Sequence, residues 1–430
     1  MERINVGLIG FGTVGSGVVK VLQERNSLLR EKVGIDIRLV KIYDKDVSTK
    51  RDVRINKRKI LTRSLGDVLY NQEIDIVVEL IGGITPAKDI ILEAIRQGKH
   101  VVTANKALLA QAGRMIFELA RQCGVCVEFE GSVGGGIPII RALKEGLISN
   151  RIELIYGIVN GTSNFVLSKM AEEKISFQEA LKSAKRLGYA EKNPALDIGG
   201  IDSAHKLAIL SLLGFGFSTK PDTIYTEGIE RIEESDIRYS GELGYALKLL
   251  AIAKADGDQI ELRVHPTLIP ESHLLAGVGG VFNAIYVKGD LIGESLYYGE
   301  GAGRFPTASS VVADIVSIAQ KRSSGICAER SFAFSSSIKR LKAIGDISAR
   351  HYIRFSAIDK PGVLAKIAGI LGRHRISIAS VTQKQQRRAK VVPIVMMTHK
   401  ADESDVAAAL AAIDKLNIIR GRSIRIRVEG

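Results

Sequence analysis

Residues 4–15 read Ile4-Asn5-Val6-Gly7-Leu8-Ile9-Gly10-Phe11-Gly12-Thr13-Val14-Gly15, an apolar run that closes on three glycines spaced GxGxxG. The run before Gly10 suits a buried strand, and apolar positions recur at helical spacing from Gly15 to about Arg30. In a strand-turn-helix of this kind each glycine has its own task. Gly10 permits the tight turn, Gly12 lets the backbone approach a pyrophosphate, and Gly15 packs the helix onto the strand. The helix N-terminus adds oriented N–H groups and a partial positive charge. The alternative is a glycine-rich turn with no ligand, since GxGxxG alone is a weak signal. At the head of a strand-helix series, Gly10, Phe11, Gly12, Thr13, Val14 and Gly15 are the expected dinucleotide-binding residues.

Outward from this turn the alternation continues through IDIRLVKIYD, EIDIVVELIGG, a helix over 86–97, HVVTAN and VCVEFEG. Such a rhythm of βαβ units predicts an α/β, Rossmann-type parallel sheet domain over 1–138. A glycine-rich turn and a good helix over 301–322 suggest a return to that domain. From 139 to 300 the rhythm breaks, with a helix over 139–145, strand-like runs at 152–159 and 260–268, and long helices between them. This reads as an α+β substrate-binding and dimerisation domain. Residues 323–349 are serine-rich and weakly patterned, as in a linker. Residues 350–430 then give strand, helix, strand, strand, helix, strand, a ferredoxin-like βαββαβ unit.

The end of the second strand bears on the cofactor. Asp44 could hold a ribose hydroxyl of NAD, whereas Lys45, Lys50 and Arg51 could neutralise the extra phosphate of NADP. The stretch 45–63 holds 8 Lys/Arg against 2 Asp, which favours NADP with NAD kept open.

Composition narrows the other classes. The 430 residues carry a formal charge of +14, but 16 Lys/Arg against 6 Asp/Glu fall within 350–430, so the excess is local. No tryptophan and few aromatic residues leave nothing to stack bases, and nucleic acid is not an expected partner. No apolar run is long enough to span a bilayer and no signal layout opens the chain, so no membrane partner and a cytoplasmic location are expected. Cys123, Cys126 and Cys327 cannot all pair, and RQCGVCVEFEG offers neither a redox helix start nor a second zinc ligand pair. They read as structural thiols.

A second block carries the chemistry. Residues 188–210 read GYAEKNPALDIGGIDSAHKLAIL, placing Glu191, Asp197, Asp202 and Lys206 around turn residues and the start of an apolar helix. Asp202 and Lys206 stand four apart and share a helix face. A surface ion pair is one explanation. The wholly apolar residues that follow favour burial, where a lysine must find partners or lose its charge.

Together with VELIGG, Thr103-Ala104-Asn105-Lys106, EGSVGGGIPII, Asn160-Gly161-Thr162-Ser163-Asn164 and GAGRFPTASSVVAD, these blocks resemble the homoserine dehydrogenases over nearly the whole chain. The terminal unit resembles an ACT domain. The resemblance implies reversible oxidation of L-homoserine to L-aspartate 4-semialdehyde with NAD or NADP, on the route to threonine, methionine and isoleucine. It implies Lys206 as acid/base, Lys106 as a second lysine beside cofactor and substrate, and Asp202 as the group orienting both Lys206 and the substrate hydroxyl. Glu191 and Asp197 would meet the substrate ammonium, Thr162 the substrate or nicotinamide, and Gly303 the cofactor. Glu130, Val133, Gly135 and Ile137 correspond to a monovalent-cation site built mostly of main-chain carbonyls, with sodium the expected ion, or else to a plain structural turn. The ACT unit implies threonine as effector, with backbone N–H groups of the turn 359–364 meeting its carboxylate, and the assembly expected is a homodimer or homotetramer.

The chain departs from that pattern at Asn193, where aspartate is common, at Gly199, where glutamate is frequent, and at Tyr43, where an arginine often meets the NADP phosphate. The other readings are a non-catalytic protein that senses cofactor and amino acid, and a dehydrogenase for a related amino-acid alcohol.

Overall fold

The computed structural model describes residues 2–323, 337–383 and 391–430. Its chain forms two compact units, one of Met1–Glu153, His205–Thr223 and Asn283–Ser337, the other of Leu154–Ala204, Ile224–Phe282 and Ile338–Gly430.

In the first unit, strands Glu2–Ile9, Ile35–Tyr43, Leu61–Thr62, Ile76–Glu79, His100–Thr103 and Val127–Glu128 make one parallel sheet. Counted along the chain their order is 3-2-1-4-5-6. Strands covered on both faces read as apolar runs, as Ile76-Val77-Val78 does before the buried Glu79. The helix Thr13–Val33 packs on one face together with Arg304–Ser323, whose Ala308, Val311, Ile315 and Ile318 join Ile4, Val6 and Leu8 in one core. Helices Ala87–Arg96 and Lys106–Cys123 cover the opposite face, around Ile91, Ile95, Leu108 and Ile116. Cys123 is exposed and Cys126 buried, and neither forms a disulfide. Cys327 lies outside the described residues.

In the second unit, Tyr245–Asp256 and Gln259–Pro270 form a twelve-pair antiparallel hairpin, and Ile152–Ile158 adds to Tyr245–Asp256. The expectation is of long helices between 159 and 260; helices do fill much of that span, but Tyr245–Asp256 is a strand. Ala246-Leu247-Lys248-Leu249-Leu250 favours a helix locally, but residues 247–253 are buried on both faces by their neighbours, and packing overrides propensity. The two-residue turn Gly257-Asp258, with Gly257 at φ +60°, is the signal that marks the hairpin.

The terminal βαββαβ unit has strands Ser348–Ile358, Ile378–Gln383, Val391–Thr398 and Ile424–Val428, with helices Val363–Arg373 and Glu403–Ile413. Its four strands are ordered 4-1-3-2 and all pair antiparallel. The strand Ile424–Val428 also pairs in parallel with Gln259–Pro270, so this sheet continues into the hairpin. Buried ions fasten the junction. Arg427, 1% exposed, sends Nε to Glu403 at 3.0 Å and Nη1 to Glu227 at 3.2 Å, while Arg354 forks onto Asp236 at 2.6 and 3.0 Å. Of the expected linker 323–349, residues 324–336 lie outside the described residues. Its far end is built in: Arg340–Leu341 pairs with Gln259–Pro270, and the first strand of the terminal unit starts at Ser348.

Candidate active site

The GxGxxG turn leaves an open anion cradle. Gly10 sits at φ +102°, and a Cβ there would stand 2.7 Å from the Leu80 carbonyl; one on Gly15 would meet the Gly10 oxygen at 2.1 Å. A Cβ on Gly12 would meet nothing within 4 Å, and the helix it caps has no side-chain cap. Free N–H groups therefore face open space, as a pyrophosphate requires. Thr13 is exposed and Val14 half-buried, whereas the Phe11 ring is buried in the core, so Phe11 reaches this site only through its backbone. Asp44 Oδ2 accepts from Phe11 N at 2.5 Å, and Arg51 donates from Nε to Phe11 O at 2.9 Å with its guanidinium 4.9 Å from the ring centroid. Arg51 is also 3.8 Å from both Asp44 and Asp46. Gly303, at φ +126°, is exposed. Beside it Arg304 keeps Nε and Nη2 buried without a hydrogen-bond partner, and its backbone oxygen approaches Gly17 of the first helix. Its Nη1 stands 3.9 Å from Asp52 Oδ2, which leaves two nitrogens unspent at the side of this helix, an arrangement that suits an anionic cofactor.

Lys106 opens the helix Lys106–Cys123, half-buried, at the positive end of its dipole. The buried Glu79 sets the two loops beside it. Its Oε2 accepts from Thr103 Oγ1 at 2.7 Å and its Oε1 from Ile81 N at 2.8 Å. The Thr103 hydroxyl oxygen in turn accepts from Asn105 N at 3.0 Å, and Asn105 caps the helix through Leu108 N at 3.2 Å. Glu79 was legible in VELIGG only as part of a block, because its partner Thr103 stands 24 residues away.

The second block forms the helix Ile201–Phe215, which passes from one compact unit to the other. Asp202 and Lys206, 6% and 7% exposed, are one turn apart on it, so the surface ion pair is excluded. Asn160 donates from Nδ2 to Asp197 Oδ1 at 2.7 Å and to Asp202 Oδ2 at 2.9 Å, while its Oδ1 accepts from Ser163 N at 2.9 Å and caps the helix Gly161–Glu173. One amide thus fixes both carboxylates. Asn160 was legible only as part of the block 160–164, because its partners stand 37 and 42 positions away. Thr162 gives its hydroxyl proton to Tyr189 O at 2.6 Å and so ties down the start of the block. Glu191 is exposed and takes no described hydrogen bond or ion pair. Within the first unit, the helix that Lys106 opens and the helix that carries Lys206 line one cavity of about 510 Å³, through Leu109, Ala110, Ala208 and Leu212.

In the turn 130–137, both Glu130 side-chain oxygens are spent on Ile140 N at 2.7 Å and Arg141 N at 2.9 Å, so only its carbonyl remains for a cation. The Gly135 carbonyl accepts from Ser310 Oγ at 2.7 Å, Ile137 O from Ile139 N at 2.8 Å, and Val133 O from no described donor. Each carbonyl keeps a lone pair, which suits a hard monovalent ion better than a divalent one; among the described residues no group of three His, Cys, Asp or Glu could hold a metal. Burial, with Glu128 and Glu130 nearby, pushes the Asp314 carboxyl well up, and burial raises Glu130. Burial would also raise Glu128, but Lys144 and Lys321 outweigh it and hold that carboxyl down.

A dinucleotide cradle, and a helix that buries a carboxylate and a lysine one turn apart, are features of a nicotinamide-dependent oxidoreductase, and the chain also carries a βαββαβ domain. Residues 138–316 match the homoserine dehydrogenase family, 10–130 the homoserine dehydrogenase NAD binding domain, and 351–417 the ACT domain. The chain is 44% identical over 434 residues to the homoserine dehydrogenase of Neisseria gonorrhoeae, spanning 100% of this chain and 99% of that protein. A homoserine dehydrogenase structure from Thiobacillus denitrificans superposes with a TM-score of 0.92 at 45% identity, covering 100% and 99% of the two chains. A hyperthermophilic archaeal homoserine dehydrogenase in complex with NADPH matches with a TM-score of 0.64 at 26% identity, over 74% of this chain and 98% of that one. The chain belongs to the homoserine dehydrogenase family and ends in an ACT domain. The non-catalytic reading falls with that result. No helix among the described residues is long and apolar enough to cross a membrane.

Proposed function

We propose that this enzyme interconverts L-homoserine and L-aspartate 4-semialdehyde with lysine acid/base catalysis. The observation that carries the reading is the burial of Asp202 and Lys206 one turn apart beside an amide that fixes the carboxylate. When bound, the nicotinamide accepts the hydride that leaves the alcohol carbon. The hydroxyl proton must leave with it, and Lys206 is the base that takes it. Asp202, held by Asn160, orients Lys206 and the hydroxyl, while Lys106 adds positive charge beside the developing carbonyl. Asp197, anchored by the same amide, and the exposed Glu191 meet the substrate ammonium. Thr162 contributes by fixing the block through Tyr189, and its oxygen can still accept from substrate or nicotinamide. Lys206→Ala should abolish turnover yet retain cofactor binding measured by fluorescence; retained turnover removes Lys206 from this role.

NADP is the proposed cofactor, because the Asp44 carboxylate is already engaged by Phe11 N and Arg51 stands beside it. The backbone of residues 10–15, with Gly303 beside it, would hold the pyrophosphate, and Arg304 would balance its charge. The carbonyls of Glu130, Val133, Gly135 and Ile137 are the proposed sodium ligands, tested by replacing sodium with choline salts. Threonine is the proposed effector at the turn 359–364. Support comes from Gly362, at φ +84°, which opens the helix Val363–Arg373 with no side-chain cap and leaves N–H groups for a carboxylate. Threonine titration of the kinetics tests it, and sedimentation distinguishes the expected homodimer from a homotetramer.

A further inference from the structure

The loop 278–282, which leads into the strand Phe282–Gly289, is held from two sides by buried donors that take no part in the proton transfer. Asn164, 1% exposed on the helix Gly161–Glu173, directs Nδ2 at three of its carbonyls: Gly280 O at 3.0 Å, Phe282 O at 3.2 Å and Val278 O at 3.3 Å. One turn further along that helix, Ser168 Oγ accepts from Gly280 N at 3.1 Å. From the strand Tyr245–Asp256, Lys248 donates from Nζ to Val278 O at 2.7 Å, its one described hydrogen bond. Lys248 is 7% exposed and forms no described ion pair. Burial pushes its pKa down to about 8, against the Glu172 carboxylate, which acts to raise it. A buried amine of this kind is costly where a leucine would pack more cheaply. What the lysine adds is a directed donor to one carbonyl.

The loop in turn presses on the start of the helix that serves the substrate block. A Cβ on Gly161 would stand 2.7 Å from Val281 O, so the loop leaves room only for glycine between Asn160 and Thr162. Asn164 N also donates to Asn160 O at 3.1 Å, and Asn160 Nδ2 is the shared donor to Asp197 and Asp202. All of these groups lie in the second compact unit. From this chain of contacts we infer that Lys248 and Asn164 are positioning residues for homoserine oxidation: they pin the loop 278–282 against Gly161 and so hold Asn160 where its amide reaches both carboxylates. Each acts through Asn160 and not on the reacting atoms. The kinetic consequence rests on the reading of Asp202 and Lys206 as the proton-transfer pair, whereas the mechanical link does not. A misplacement of about 1 Å at reacting groups can cost about 10²-fold in rate, so a small loosening of the loop suffices.

The test combines homoserine kinetics with amide hydrogen exchange on the full-length protein. Lys248→Met keeps the volume and loses the donor; it should lower kcat by about tenfold or more, leave KM for the cofactor unchanged and speed exchange at 160–166. Lys248→Arg keeps a donor, and the cavity of about 400 Å³ that Lys248 lines gives it room, so it should recover most of the rate. Asn164→Leu should act as Lys248→Met does, and serves where the other variant fails to fold. In an Asn160→Ala background, Lys248→Met should change kcat by less than about twofold while still lowering stability in chemical denaturation, because the two residues act in one chain. Unchanged exchange at 160–166, faster exchange there with kcat unaltered, or a loss of kcat in the Asn160→Ala background as large as in the wild type would each overturn the inference. A wild type that leaves homoserine unoxidised, with Lys248→Met still speeding that exchange, would sustain the mechanical link and overturn the enzymatic reading instead.

Discussion

Asn160 gives one amide nitrogen to two carboxylates, and its loss leaves both Asp197 and Asp202 without their shared donor. A buried acceptor stripped of its partner costs about 1–3 kcal/mol. Asn160→Ala should therefore lower stability by that order, seen as a shift in chemical denaturation. With Asp197 meeting the substrate and Asp202 orienting the base, as proposed, it should also raise KM and lower kcat together; a change in KM alone would mean that Asp202 does not depend on Asn160. Lys206→Ala should lower kcat by at least about 10²-fold, the usual scale of proton transfer by a side chain, in steady-state assays. His351 gives a pH effect of definite sign. Burial, with Arg425 and Arg427 nearby, outweighs the Glu403 carboxylate 3.9 Å away and holds its pKa down to about 4. As pH falls below about 6.5 the unfolded chain takes up the proton first, so the stability this group contributes above that pH is lost progressively down to about 4. The loss is at most about 3 kcal/mol, and His351→Phe should flatten that limb of the denaturation profile against pH.

At the scale of elements, what could be read in advance was whatever is decided within a short window. The glycine turn, the βαβ rhythm and the terminal βαββαβ unit depend on spacing and turn chemistry, and each stands where the spacing puts it. Tyr245–Asp256 could not be read the same way, since its Ala, Leu and Lys content favours a helix and only its burial among neighbouring strands makes it a strand. Site residues divide similarly. Lys206 and Asp202 announce themselves by a four-residue spacing, whereas Asn160 and Glu79 bond to partners brought near by folding. The turn itself offers a prediction: Gly15→Ala drives a Cβ to 2.1 Å from the Gly10 oxygen. This should cost about 1–3 kcal/mol as overpacking and abolish cofactor binding in fluorescence titration.

Across the whole molecule, the ACT domain shares a sheet with the substrate hairpin through Ile424–Val428 and is fastened to it by the buried Arg427 and Arg354. Part of the local basic excess is spent on that junction. At the other end of the chain, Arg51 and Asp44 are the proposed determinants of cofactor choice. Arg51→Ala should lower kcat/KM for NADP by about tenfold or more while changing that for NAD little, in parallel assays. The most direct test of the account follows nicotinamide reduction by the purified full-length enzyme with L-homoserine, against NADP and NAD, for the wild type and Lys206→Ala. Homoserine-dependent reduction by the wild type, faster with NADP and absent in a variant that still binds cofactor, is the predicted result. Turnover that persists without Lys206, or a wild type that binds cofactor but leaves homoserine unoxidised, would contradict it.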